Sequence, residues 1–483
     1  MSAQDAKQAA IPETVPTLPS RPADQAEENF PKISLREKLS YSVGDIGSNV
    51  VYAPATTFVL FYLTNIAGIG AAVAGTILLV GQLLNGVTDL LVGVFIDKTK
   101  TRWGKTRPWI LVTAIPMGLS LVLLFSVPSG FSETGKIAWA FIMYALLMAV
   151  FFTASNIAYS ALLAVLTPSP KTRVTLTTFR FFMALLTTLI VSSITLPLIQ
   201  TLGNDQHAWT SLTSIYGIIA AVTLLIVFFG TKERVVTAAT AADAEPEQPL
   251  GTRLKNLFHN RYFVLAGLLF IAFYLLSGLA QGSGVYYATN ILGDASLFSI
   301  LSIATILPSL IGISFMPAIM GRYGKRPIFL IGLGIMLIGS LLPLFGPHSF
   351  ELILISQLIR GVGQIPLTAG LFAIVADVVD YSEWKHGVRS DGLIYSAAIF
   401  GQKVGGGFGA AAVGWLLSWG AYDAKVVHQS AAANQAIFGA YIYLPIALIV
   451  VVGIIVYFFR IEQYTPQVQA FLRKKREQTQ AAS

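Results

Sequence analysis

Apolar residues in this chain run on for some twenty to thirty positions at a time, separated by short polar breaks. Each run exceeds the roughly 18 residues that mark a membrane-crossing helix. The pattern predicts twelve spans, at 38–65, 69–96, 108–128, 136–166, 173–201, 210–231, 262–291, 296–320, 327–346, 350–380, 391–420 and 434–460. A polar stretch after the sixth run splits them into two sets of six. The expected fold is an all-α membrane protein of twelve transmembrane helices in two six-helix halves, residues 36–231 and 262–460, joined by a linker at 232–261. Residues 1–35 are polar and Pro-rich, lack the apolar core of a signal peptide, and read as a disordered tail. Residues 461–483 read as a second polar tail.

Composition agrees: 54% of the 483 residues are hydrophobic and only 12% charged, against about 25% charged in a soluble protein. The lipid bilayer is therefore the expected surrounding. Cysteine is absent, which excludes disulfides and thiol chemistry. The net charge of +8 has a definite placement. Lys98, Lys100, Arg102, Lys105 and Arg107 follow span two, and Lys171 and Arg173 follow span four. The linker carries Lys232, Arg234, Arg253, Lys255 and Arg261. Arg322, Lys325 and Arg326 follow span eight, and Lys385 and Arg389 follow span ten. The alternate loops hold little beyond Lys136 and Lys425. Basic loops stay inside, so both termini are expected in the cytoplasm of a cell with this protein in its plasma membrane, a bacterial inner membrane by expectation. The charge then serves topology and implies no nucleic-acid partner.

The stretch "RWGKTRPWIL" after span two recurs as "RYGKRPIFLIG" after span eight, at the same place in each half. Two halves with matching basic turns resemble parallel-repeat transporters of the major facilitator type, which bind cargo at the midplane between halves.

Polar residues within the runs are costly in hydrocarbon and point to a pathway. In span one Asp45, Asn49 and Tyr52 share a helical face, as do Asn85, Thr88 and Asp89 in span two. Span four offers Thr153, Asn156 and Ser160, span five Arg180, span ten Arg360, Gln364 and Thr368, and span eleven Ser396 and Lys403. Asp89 lies roughly 11 Å from its helix end, and Asn49 and Asn156 roughly 15 Å from theirs. Asn85 and Thr88 can equally be interhelical glue, and Asp45 is as readily structural as functional. Arg360 reads as a salt-bridge partner holding span ten, and Asp377 and Asp380 as a latch beside Lys385 and Arg389. The Gly-rich "KVGGGFGAAAVG" lets helices approach closely. No zinc spacing, nucleophile elbow or phosphate loop appears, so neither an enzyme nor a resident cofactor is expected.

"YSVGDIGSNVVYAPATTFVLFYLTNIAG", "NGVTDLLVGVFIDKTKTRWGKTRPWIL", "ASNIAYSAL" and "VADVVDYSEWKHGVRSDGLIYS" resemble the glycoside-pentoside-hexuronide:cation symporter family, whose best-known member is the melibiose permease. The resemblance covers about residues 36–460 and implies a sugar or glycoside as cargo and a monovalent cation as its companion. It maps a cation pocket onto Asn85, Thr88, Asp89 and Thr153, with Asn85 replacing a carboxylate of the melibiose permease. Substrate contacts are expected at Asn49, Tyr52, Asn156, Tyr159, Arg180 and Lys403, of which the resemblance carries over Asn49, Asn156, Arg180 and Lys403. Asn49 and Asn156 stand where that permease anchors sugar with aspartates, and Ser160 and Thr368 stand where it has tryptophans.

The expected function is therefore a cation-coupled symporter importing a sugar or glycoside, with a proton on Asp89 favoured over sodium. Exchanging two carboxylates for amides while keeping Arg180 and Lys403 suggests a positive pocket suited to a hexuronide, with a neutral sugar left open. The alternatives are a related symporter for an amphiphile such as a lysophospholipid, or a non-transporting membrane sensor. A gating role is expected for Arg102, Lys105 and Arg107, pairing with acidic helix ends that include Asp97 and Asp380 while the cytoplasmic side is closed.

Overall fold

The computed structural model describes residues 33–167, 169–234, 257–387, 390–426 and 428–482. Most of the expected N-terminal tail and of the linker, with Arg253, Lys255 and Arg389, lies outside these residues. The first half comprises α1 (Leu35–Thr57 continued by Val59–Asn65), α2 (Ala71–Lys98) and α3 (Arg107–Leu124). It continues with α4 (Glu133–Leu166), α5 (Pro170–Thr201) and α6 (Gln206–Gly230). The second half comprises α7 (Arg261–Asn290), α8 (Leu297–Tyr323), α9 (Lys325–Phe345), α10 (Phe350–His386), α11 (Asp391–Trp419) and α12 (431–458). Helix α13 (Thr465–Ala482) follows.

Among the described residues, ten helices, or eleven with the bent α1 taken as one, are long and apolar enough to cross a membrane. Helix α11 is equally long, at 29 residues, but its glycines, Gln402 and Lys403 dilute its hydropathy. The helix starts follow from sequence: Ser132, Ser169, Asp205, Ser349 and Ser430 each accept the N–H of the residue three positions on. Helix α1 bends by 47° at Phe58, one turn after Pro54, whose missing N–H leaves the Val50 carbonyl without its helical partner.

Small residues set how closely the helices approach, within the second half and between the halves. A Cβ on Gly278 of α7 would lie 2.5 Å from the Gly406 carbonyl of α11, and one on Gly75 of α2 would lie 3.0 Å from the Ala411 carbonyl. The glycine-rich run of α11 is thus the surface on which both α7 and α2 pack. One apolar core fills the first half and continues into Leu279, Tyr286, Phe298, Val413 and Tyr441 of the second. A separate core, including Phe270, Phe329 and Val378, lies wholly within the second half.

The expected polar tail after 461 is helical in its described part. Tyr464 packs its ring against Tyr262, Tyr381 and Trp384, and Lys475 pairs with the buried Glu383 at 2.7 Å. The tail is held against the ends of α7 and α10.

Candidate functional site

Between the halves lies a cavity of about 830 Å3, within the size range of small-molecule sites. Asn49, Tyr52, Gln82, Asn156 and Ser160 line it from the first half. Tyr274, Gln281, Gln364, Thr368 and Gln402 face them from the second. Among the described residues Asn156 has no hydrogen-bond partner, and its carboxamide lines the cavity. Asn49 is partly committed, its Nδ2 donating to the Asp45 carbonyl at 2.8 Å. Tyr52 stacks on Phe152 at 5.2 Å between centroids, presenting an apolar face beside the amides.

One wall holds a compact charged cluster. Lys403 of α11 pairs with Asp89 of α2 across the two halves, with side chains 15% and 18% exposed. Its Nζ also donates to Asn85 Oδ1 at 2.6 Å. The Thr153 hydroxyl oxygen lies 2.5 Å from Asn85 Oδ1 and 3.0 Å from Asp89 Oδ1. The Asn85 amide is aimed from behind: its Nδ2 donates to Gln82 Oε1 at 3.3 Å, and Gln82 Nε2 donates to the Tyr144 hydroxyl at 3.1 Å. Thr153 stands where α4 leaves a π-helical turn, Leu146–Phe152, and its oxygen also lies 3.0 Å from the Met148 carbonyl. Such turns recur at functional sites. Thr88 is apart from the cluster, bonding the Asn85 carbonyl of its own helix at 3.1 Å.

Tyr159 and Arg180 are set behind the cavity wall. Arg180 Nε donates to Asp45 Oδ2 at 2.7 Å and Nη1 to the Tyr41 hydroxyl at 3.1 Å. Its guanidinium lies 4.1 Å from the centroid of Tyr159. The Tyr159 hydroxyl is 2.7 Å from the Tyr41 carbonyl and 3.0 Å from Asp45 Oδ2, and the residue is fully buried. Arg180 reaches the cavity lining through Ser160, at 3.4 Å. Arg180 and Lys403, the source of the positive pocket expected from the sequence, each have a carboxylate partner in the structure, Asp45 and Asp89. Arg360 also differs from expectation. It is buried, has no carboxylate partner among the described residues, and lies 5.9 Å from the Tyr441 ring centroid.

The repeated basic turns form matching clasps. Glu233, after α6, accepts the N–H groups of Lys105, Thr106 and Arg107 at 3.0, 2.8 and 3.1 Å, and the Thr106 hydroxyl at 2.7 Å. Arg107 caps the end of α6, its Nε and Nη2 donating to the Phe228 carbonyl at 3.2 and 2.6 Å. In the second half Glu462 accepts the N–H groups of Lys325 and Arg326. Arg326 caps α12 at the Tyr457 carbonyl, at 3.2 and 2.8 Å. Gly104, at φ +102°, turns the chain directly over the Glu233 carboxylate, leaving no room for a Cβ. Burial pushes the Glu233 carboxyl up, but the four hydrogen bonds outweigh it and hold the group below its usual range. Lys105 pairs with Asp97 at 3.0 Å in the same half, and Arg102 lies over Trp103 at 4.6 Å. Lys325 pairs with Asp377 at 2.5 Å, and Asp380 lies one turn further along α10. Of the expected gating residues, Lys105 and Asp97 are brought together within one half.

Sequence reading did not single out Glu233, Glu462, Gln82, Gln281 or Gln402. The glutamates carried a signal: each follows its half's last helix, at the same offset from the carbonyl that the clasp arginine caps. At the end opposite the basic loops, hydrogen bonds join the halves: Thr64 with Tyr286 at 2.6 Å, Tyr422 to Asn65 at 2.8 Å and Gln200 to Asp294 at 3.1 Å. Close approach of α2 and α11 runs from that end to Asp89 and Lys403. One turn further, nothing lies within 4 Å of a Cβ built on Gly93.

Comparison with known proteins gives the family. A family model described as MFS/sugar transport protein matches residues 40–463. The isoprimeverose transporter of Lactiplantibacillus pentosus is 34% identical over 472 residues, covering 96% of each chain. The glucuronide carrier protein homolog of Escherichia coli (strain K12) is 29% identical, covering 89% of this chain and 93% of that one. In structure, the crystal structure of a D-xylose-proton symporter superposes with a TM-score of 0.64 at 15% identity, covering 89% of this chain and 98% of that one.

Proposed function

Because the chain belongs to the MFS/sugar transport family, we propose that it imports a neutral glycoside together with a proton, by alternating access of the central cavity. The observation that carries the neutral cargo is charge compensation. Both cations expected to attract an acid are already held, Arg180 by Asp45 and Lys403 by Asp89. What remains in the wall is amides, hydroxyls and rings. Carboxamides both donate and accept, which suits sugar hydroxyls, while Tyr52 and Tyr274 offer faces for the apolar side of a pyranose. The isoprimeverose transporter, a relative at 34% identity, supports the same cargo class. Polar groups on both walls support a sugar over an amphiphile such as a lysophospholipid.

Asp89 is the carboxylate of the cluster, and its neighbours Asn85 and Thr153 supply only neutral oxygens, which supports a proton over sodium. The basic loops support a cytoplasmic position for their end of the bundle. Hydrogen bonds between the halves lie at the other end, which supports reading the arrangement as a cytoplasm-facing carrier in a plasma membrane.

Purified protein in liposomes, given isoprimeverose or p-nitrophenyl β-glucuronide under an imposed pH or sodium gradient, tests the reading. Isoprimeverose accumulation driven by the pH gradient is expected. Accumulation of the glucuronide alone would overturn the neutral cargo, sodium dependence without pH dependence would overturn the proton, and uptake of neither would overturn the transporter reading for these sugars.

A further inference from the structure

A groove on the outside of the bundle belongs neither to the central cavity nor to the clasps. It holds about 360 Å3 and is lined by Ala72, Val73, Ile77 and Val80 of α2 and by Ile137 and Phe141 of α4. Val73 and Val80 are 38% and 36% exposed, so the groove is open to the surroundings of the bundle. The stretch from Ala72 to Val80 rises about 12 Å along its helix, close to one leaflet of a hydrocarbon core about 30 Å thick. It begins in the first turn of α2, at the end opposite the basic loops. The groove therefore faces the acyl chains of the leaflet away from those loops.

A cation stands at its mouth. Lys136 immediately precedes Ile137, and its Nζ donates to the Ala67 carbonyl, five residues before Ala72, at 3.0 Å. An ammonium has three N–H donors, and Lys136 has no carboxylate partner among the described residues. Trp139, three residues on, donates its Nε1 to the Leu123 carbonyl at 2.9 Å. A lysine and a tryptophan so placed mark the level of the lipid head groups.

We propose that this groove is a phospholipid site, which seats one acyl chain of an anionic lipid while Lys136 receives its phosphate. The apolar walls alone would accept any chain; the unpaired ammonium selects the head group. Phosphatidylglycerol brings one net negative charge to it, whereas phosphatidylethanolamine brings an ammonium of its own. The site also touches the junction of the halves. Thr76 lies in the groove wall and accepts a hydrogen bond from Trp415 Nε1 of α11 at 3.2 Å, beside the close contact of Gly75 with Ala411. A chain seated in the groove covers that bond. The inference rests on the membrane placement of the helices and is independent of the sugar and of the coupled cation.

Photocrosslinking of the full chain in nanodiscs of phosphatidylcholine tests it. The probes are a phosphatidylglycerol and a phosphatidylcholine, each carrying a diazirine in one acyl chain, with adducts mapped by peptide mass spectrometry. Labelling around Ile338, an exposed residue toward the same end of α9, is the reference. The ratio of phosphatidylglycerol to phosphatidylcholine labelling is expected to be at least fivefold higher at 72–80 and 137–141 than at that reference. In Lys136→Gln the groove ratio should fall at least threefold, and Lys136→Arg should keep it. Ala72→Trp fills the groove and leaves the cation, so labelling there by both probes should fall at least threefold in monodisperse protein. Equal ratios at the groove and the reference overturn the site. So does a groove ratio unchanged in Lys136→Gln, or groove labelling unchanged in Ala72→Trp.

Discussion

Glu233→Gln isolates the clasp that holds the turn between α2 and α3. The carboxylate accepts four hydrogen bonds, three from consecutive backbone N–H groups and one from Thr106. Three successive amides aimed at one anion leave little room for a neutral donor. Glutamine keeps one acceptor oxygen but turns its NH2 toward at least one backbone N–H, so the exchange removes the charge and adds a clash of donors. Hydrogen bonds to charged groups contribute about 1.5–3 kcal/mol each when deleted. The group is only half-buried, and one acceptor survives, so a total near the lower end is expected, about 2 kcal/mol. Hydrogen exchange followed by mass spectrometry reads this directly. The amides of Lys105, Thr106 and Arg107 should lose roughly thirtyfold in protection, since about 1.4 kcal/mol is a factor of ten. Glu462→Gln should do the same to Lys325 and Arg326 and leave the first turn alone. The wild-type effect should also depend on pH in a fixed sense. Because the folded carboxyl is held below its ordinary value of 4.5, its contribution is complete above that value and is lost as pH falls through the folded one. Unchanged protection in Glu233→Gln, or equal loss in both turns, would show that the turn is held by other contacts.

Asp89→Asn is expected to abolish gradient-driven accumulation while downhill exchange survives, because the cluster has no second carboxylate; accumulation at the wild-type level in liposomes would make Asp89 structural. Asn156→Ala should weaken glycoside binding by about 1–3 kcal/mol, measured by equilibrium dialysis, and Asn49→Ala by less, since half of its amide already serves the Asp45 carbonyl; equal losses would refute that ranking. Tyr422→Phe removes a bond that joins the halves at the sealed end, so an opening shift of about fivefold is expected for a loss of about 1 kcal/mol. Labelling of Ala55→Cys, in the cavity lining, by an impermeant thiol reagent from the sealed side reads it, since the chain has no cysteine of its own, and an unchanged labelling rate would place the seal elsewhere.

The run lengths made the helices legible because each span must satisfy its own backbone in lipid, and only twenty or so apolar residues do that. The repeat of "RWGKTRP" and "RYGKRP" located two equivalent turns, but its partners were hidden. Glu233 and Glu462 lie 126 and 136 residues from Arg107 and Arg326, and no local period relates a turn to the helix end that closes over it. The polar residues within spans were legible as a set, since each breaks an apolar run. Which of them face the cavity was not. Asp45 and Asp89 look alike in sequence, each an aspartate four residues from an asparagine. Asp45 meets Arg180 behind the wall, while Asp89 meets Lys403 in it, and the rotation of α1 and α2 that decides this comes from packing. The glycines of α11 hold the remaining part of the answer. By bringing α2 within backbone reach of α11 at Gly75 and Ala411, they carry Asp89 to Lys403 more than three hundred residues away. Two cations that read along the chain as a positive pocket are therefore each paired in the fold.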